Sequence, residues 1–354
     1  MSSPDRRPIE GPCAWRGEDI SGPDDWIRPL SSAALDEIDA ALRAVQARGL
    51  AWRKITRDDF PLPRFAGELR AVADELERGR GFLRLRGLQI ARYDEDEIRQ
   101  IFWGIGTHLG VARPQDASGE IMGEVCDEAR AFGAVRETIE PLPDGARPLT
   151  SRARARSNGP LRFHTDRADV IALLCVRRPR AGGLSKIASS VAVHNEILAR
   201  RPDLLELLYR DYYRSRQGEE AQGASRHYAL PVFAVHEGHF TSQYSRTFVE
   251  AAQHIPGVPR LTPAQDEALD LLAEVAEELC IAAPFEPGDM QFLNNHVIYH
   301  ARSAFEDGDD GRNRLLYRLW LSMPDSRPLP PGFEILWGRV EPGALRGGIT
   351  QHSA

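Results

Sequence analysis

The second half of the chain breaks into short β-like runs at 170–176, 186–190, 228–235, 290–293 and 315–322, separated by Gly- and Pro-marked turns. Runs this short, spaced this irregularly, fit neither a helical bundle nor the regular strand–helix alternation of a dinucleotide-binding fold. Only two helical patterns interrupt them, at about 192–213 and 263–280. The pattern predicts a mixed α/β chain with a mainly β core, an antiparallel barrel or jelly roll with flanking and inserted helices. The part from about 30 to 110 is mainly helical. Leu35, Ile38, Leu42 and Val45 recur at spacings of three and four behind a Ser31-Ser32 cap. Helical patterns follow at 65–77 and 94–109, with an alternating strand-like GFLRLRGL (81–88) between them. No internal repeat or long linker divides the chain. The expectation is one domain over 1–354, its β core at about 80–325, with residues 326–354 as a surface tail.

Composition narrows the function classes. With 354 residues, 42% of them hydrophobic and 27% charged, the chain can bury a full core. A net charge of −7 argues against a nucleic-acid partner, which would need a basic face. No apolar run approaches a membrane span, and the N-terminal arginines precede no signal-like apolar stretch. Cys13, Cys126, Cys175 and Cys280 stand far apart, which reads as reduced thiols in a cytoplasmic protein, with Cys175 in the core. The oligomeric state is left open, a homo-oligomer among the options.

The chemical signal begins at His164-Thr165-Asp166, just ahead of an apolar run. In an extended segment, residues i and i+2 face the same side, so one imidazole and one carboxylate can address one point. With ten histidines in the chain, a single HxD triplet is close to chance. A distant histidine would complete a two-His-one-carboxylate face that binds Fe(II) and leaves positions open. Near the C-terminus stands GDMQFLNNHVIYHARSAF (288–305), then Arg314 and Arg318, 14 and 18 residues beyond His300. A guanidinium fork is the group expected to grip the far end of a dicarboxylate.

The order HTD, then GGLS (182–185), then GD-x5-N-x4-H-A-R-x-AF, then R-x3-R-LWL resembles the Fe(II)/2-oxoglutarate-dependent oxygenases of the taurine dioxygenase and clavaminate synthase-like family. The likeness runs over about residues 75–325. It implies a double-stranded β-helix core in a single catalytic domain. It also implies Fe(II) held by His164, Asp166 and His300, with 2-oxoglutarate as co-substrate and O2 as oxidant. Arg314 and Ser185 fall where the family binds the distal carboxylate of 2-oxoglutarate, and Arg318 where some members hold an anionic substrate group. Halogenating members have a small residue in place of the carboxylate. Asp166 therefore points to hydroxylation, desaturation or cyclisation of a small anionic or amino-acid-like substrate, with release of succinate and CO2. A jelly-roll hydrolase or isomerase with the same three ligands is the alternative, and a non-catalytic sensor a third.

Other features carry less. Arg167 and Arg246 are further candidates for a substrate carboxylate. Arg147, Arg152, Arg154, Arg156 and Arg162 crowd one loop, a solvated segment or a lid whose positive field would draw in anions. His296 with His300 mimics a helical HxxxH pair but lies in a strand-like context without the HExxH glutamate, so it reads as structural. His108 reads the same way, and GxGxxxG at 104–110 follows a helix rather than a strand. His236 and His239 flank a hairpin turn. The acidic run 307–311 lacks the remaining spacing of a calcium loop.

Overall fold

A computed structural model describes residues 6–128, 154–216, 225–308 and 313–349. Arg147 and Arg152 of the basic loop, and residues 309–311 of the acidic run, lie outside the described residues.

The core is one seven-stranded mixed sheet facing a four-stranded antiparallel one. The larger sheet runs in the order Ile27–Pro29, Phe82–Arg86, Met290–Asn294, Val170–Arg177, Leu315–Ser322, Val111–Ala112, with Met122–Val125 also paired to Leu315–Ser322. The smaller runs Ile281–Ala283, Ser185–Ser189, Ile298–Arg302, Leu161–His164.

Strand alternation gives the larger sheet two different faces. Leu315, Tyr317, Leu319 and Leu321 share a core cluster with Val170, Ala172, Leu174, Met290, Phe292, Leu83 and Leu85. That face is covered by the N-terminal helices Ser32–Ala47, Phe65–Arg78 and Glu95–Leu109. On Glu95–Leu109 the apolar stripe Ile98, Ile101, Phe102, Ile105 and Leu109 is buried. Each such side chain contributes about 1.5–3 kcal/mol on leaving water. Asp94 and Glu97 form a reciprocal capping box at its start. Gly104 allows close approach: a Cβ there would lie 2.4 Å from the Phe60 ring. The opposite face of the sheet carries Arg318 and Trp320 towards the smaller sheet, and the candidate site lies there.

Three expectations are corrected. The helical pattern at 192–213 is two helices, Ser190–Arg200 and Pro202–Leu208, followed by a strand, Asp211–Ser215. Pro202 suits a helix start and cannot continue the one before it. The Tyr212-Tyr213 pair then takes extended pairing with His227–Pro231. The run at 228–235 divides likewise: Phe233–His236 pairs instead with His239–Ser242 through a turn at Glu237-Gly238, both at positive φ.

The third concerns the tail. Leu329, Phe333, Leu336 and Trp337 form a buried cluster with Tyr228, Leu230 and Ala234. Beyond it Arg346 and Ile349 are also buried, so the described part of 326–354 is packed rather than surface chain. The Arg346 guanidinium sits 2.7 Å from an Asp169 oxygen. The composition of the tail gave no sign of this pairing.

Candidate metal centre

Sheet register brings the two histidines together. His164, last residue of Leu161–His164, stands directly across from His300 on the antiparallel Ile298–Arg302 strand, and the rings lie 4.1 Å apart centre to centre. Asp166 falls just past the strand end rather than within it. It is placed by loop bonds: its N–H donates to Asn295 Oδ1 at 3.0 Å, while Asn295 Nδ2 donates to the Ala168 carbonyl at 2.8 Å. Asp166 Oδ1 is then 3.7 Å from His164 Nε2, and Oδ2 3.8 Å from His300 Nε2. One ligand atom from each of the three lies within 4.8 Å of the others, and all three residues are buried.

The chemistry of this donor set suits a divalent metal ion. Burial, and then the neighbouring His164, push His300 down to about 3, so its imidazole is neutral with a lone pair to offer. Burial lowers His164 too. Its Nδ1 lies 2.9 Å from the Arg162 carbonyl, which makes Nδ1 the protonated nitrogen and leaves Nε2 to bind. Burial works to raise Asp166, but the Arg318 cation, helped by the Trp320 hydrogen bond, outweighs it and holds the carboxyl below its usual range. Trp320 Nε1–H donates to Asp166 Oδ2 at 2.8 Å and fixes the carboxylate plane.

The trio stands between two cavities. The inner one is lined by His164, His300, Ser185, Gln291, Arg302 and Arg314. Arg314 is 3% exposed; burial lowers it to about 10, still a cation near neutral pH. Among the described residues its NH1 reaches only the Val125 carbonyl, at 3.3 Å, and its backbone N–H donates to Asp307 Oδ1 at 2.7 Å. Gln291 Nε2 donates to Ser185 Oγ at 3.0 Å, while its Oε1 accepts from Arg84 at 2.7 Å. The outer cavity is lined by His164, Asp166, Gln115, Arg167, Gln243, Arg318 and Trp320, with Leu336 and Ile349 from the C-terminal segment. Arg318 faces both.

Of the sequence-derived residues, the structure gathers His164, Asp166, His300, Ser185, Arg314, Arg318 and Arg167 around these two cavities. Arg246 is not brought there. It sits on the helix Arg246–Ala252, paired with Glu250, Asp266 and Asp270, and those carboxylates already occupy its guanidinium. Arg156 pairs with Glu120 and Glu128, and Arg162 with Glu250. His296 faces away from the centre, bonded to Asp169 and Thr241 and stacked on Trp337. His108 is held by the Phe60 carbonyl.

Sequence reasoning missed Gln115, Gln243, Gln291, Asn295 and Trp320. Trp320 had a signal, since it follows Arg318 by two on one strand and must share its face. The amides had none, because nothing in the sequence marks which of them a loop turns inward.

A family model described as taurine catabolism dioxygenase TauD, TfdA family matches residues 29–320. The taurine hydroxylase-like protein SAT17 of Stachybotrys chartarum is 34% identical over 329 residues, spanning 90% of this chain and 81% of that protein. FR-33289 synthase of Streptomyces rubellomurinus is 29% identical over 345 residues, 94% of this chain and 96% of its own. An asparagine oxygenase solved with Fe(II), 3-hydroxyasparagine and succinate matches with a TM-score of 0.59 at 15% identity, covering 84% of this chain and 93% of its own. The non-haem iron oxygenase OrfP, solved with Fe and α-ketoglutaric acid, also matches at 0.59, with 14% identity and the same coverage. These likenesses show a shared fold.

Proposed function

The chain belongs to the TauD, TfdA family of taurine catabolism dioxygenases, and on that premise we propose that His164, Asp166 and His300 hold its Fe(II). The enzyme is an Fe(II)- and 2-oxoglutarate-dependent dioxygenase. We read its two facing sheets as the double-stranded β-helix of that family. Iron bound at the trio, with 2-oxoglutarate and O2, supplies the oxidising power that hydroxylates a substrate carbon as succinate and CO2 are released.

The protein's own residues select and orient. In the inner cavity Arg314 offers a charged fork to the distal carboxylate of 2-oxoglutarate. Ser185 Oγ accepts from Gln291 Nε2 at 3.0 Å and has only a long, 3.4 Å contact to Gln291 Oε1 for its own proton, which it can turn to the same carboxylate instead. In the outer cavity Arg318 and Arg167 attract an anionic group on the substrate, while Trp320, Leu336 and Ile349 supply apolar walls that keep water out. We assign the substrate to small anionic or amino-acid-like molecules. The relatives support that choice: one is named for taurine, and solved structures hold 3-hydroxyasparagine and hydroxy-L-Arg. Four free cysteines fit a reducing, cytoplasmic setting. Among the described residues no helix is long and apolar enough to cross a membrane.

One observation carries the reading: a buried cation, Arg314, lines the same cavity as two of the three proposed iron ligands, His164 and His300. A hydrolase or isomerase using the same trio would have no need of it. Arg314→Leu should raise the 2-oxoglutarate KM about a hundredfold, as expected when a charged hydrogen-bond partner worth roughly 3 kcal/mol is lost. Succinate release, measured against 2-oxoglutarate concentration, checks this; an unchanged KM would remove Arg314 from the role.

A further inference from the structure

Arg318 is held in an unusual state. Its NH1 is 3.5 Å from Asp166 Oδ2, too far for a hydrogen bond, although both side chains are about nine-tenths buried. A guanidinium and a carboxylate this close, with little water between them, attract strongly and would close to a direct pair if free to move. Gln115 opposes that. Its Nε2 donates to two main-chain carbonyls, Ile121 at 2.9 Å and Arg318 itself at 2.8 Å. With both amide hydrogens used, the amide can face only one way, and its Oε1 accepts from Arg318 Nε at 2.7 Å. Gln115 is 1% exposed. The room it needs comes from Gly123, the cross-strand partner of Arg318, where a Cβ would stand 2.8 Å from Gln115 Oε1.

We propose that Gln115 is a positioning residue that pins the Arg318 guanidinium off Asp166, leaving the carboxylate available to the metal ion. The proposal rests on the reading of His164, Asp166 and His300 as the metal site. Without the pin, Arg318 closes on Asp166 and competes with the metal ion for the same oxygen.

The test is Co(II) binding, followed by its visible absorption, in a double-mutant cycle on the full chain. Gln115→Met keeps the side-chain length and removes the acceptor. It should weaken Co(II) binding about tenfold, the usual scale for groups that orient a ligand. Arg318→Met should bind Co(II) at least as tightly as the wild type, and adding Gln115→Met to it should change nothing further. Gln115→Leu is a second version of the same change should the methionine variant not fold, with the melting temperature checked for each. Unchanged Co(II) affinity in the Gln115 variants overturns the proposal alone. So does an equal loss in the Arg318→Met background, because Gln115 would then act only on general structure. A wild-type protein whose Co(II) binding is absent, or unaffected by His300→Ala, overturns the metal reading and the proposal with it.

Discussion

Trp320 shows how much one hydrogen atom decides at this centre. Its indole N–H is bonded to the same Asp166 oxygen that faces His300 and Arg318. Trp320→Phe keeps the ring's bulk and deletes that donor, so the carboxylate loses its fixed plane. Metal affinity should fall by about tenfold with little change in melting temperature, read by titration of the apo-protein. At this scale the sequence was generous with charged residues and silent on amides. HTD, His300 and the Arg314–Arg318 pair stood out because their spacing matches a recognisable pattern. Gln115 and Asn295 did not, since an amide's role depends on which loop buries it. Arg246 misled for the converse reason: in sequence an arginine looks the same whether it faces a cavity or three carboxylates.

At the level of elements, the C-terminal segment was the least legible. Its Gly- and Pro-rich composition suggests mobile chain, yet Gly347 and Gly348 use positive φ to turn a strap across the outer cavity. Gly348 N–H donates to the Arg167 carbonyl and Ile349 N–H to that of Pro114. Arg346 clasps the strap to Asp169, three residues beyond Asp166, with both side chains buried. Removing one member of a buried pair leaves the other charge uncompensated. Arg346→Met should therefore cost on the order of 3–5 kcal/mol, measured by denaturant unfolding; a loss below about 1 kcal/mol would mean that the strap is not held by this pair. Elements with strong periodicity were the readable ones. The helix at Glu95–Leu109 was readable from its pattern at 94–109, and the Ser31 cap of Ser32–Ala47 from the Ser31-Ser32 pair, whereas the break at Pro202 was overridden by the apolar pattern on both sides.

For the molecule as a whole, burial of neutral histidines sets the response to acid. His296 is pushed down to about 4 by burial, although the hydrogen bond to Asp169 works the other way, and His108 and His194 are lowered by burial as well. Between the ordinary histidine value near 6.5 and these lowered values, the unfolded chain takes up protons that the folded chain refuses. Stability therefore falls as pH drops from about 6.5 towards 4, by about 1.4 kcal/mol per pH unit for each histidine fully in that window. Asp169, held low despite its burial, adds to the loss below about 4. Melting temperature should decline steadily from pH 7 to pH 5, and a flat profile would contradict the neutral, buried state of these rings. The arrangement of two facing sheets was legible in outline from the short β runs, but the pairing that sets His164 across from His300 was not, because register is fixed by contacts far apart in sequence. The central claim, that this pairing makes an iron site beside a 2-oxoglutarate cavity, is tested most directly without oxygen. Fe(II) and then 2-oxoglutarate are added to the apo-protein, and the weak visible charge-transfer band of a chelated keto acid is sought. The account predicts a band in the wild type, none in His300→Ala, and one needing far more 2-oxoglutarate in Arg314→Leu. A folded, iron-loaded wild type that shows no band would contradict it.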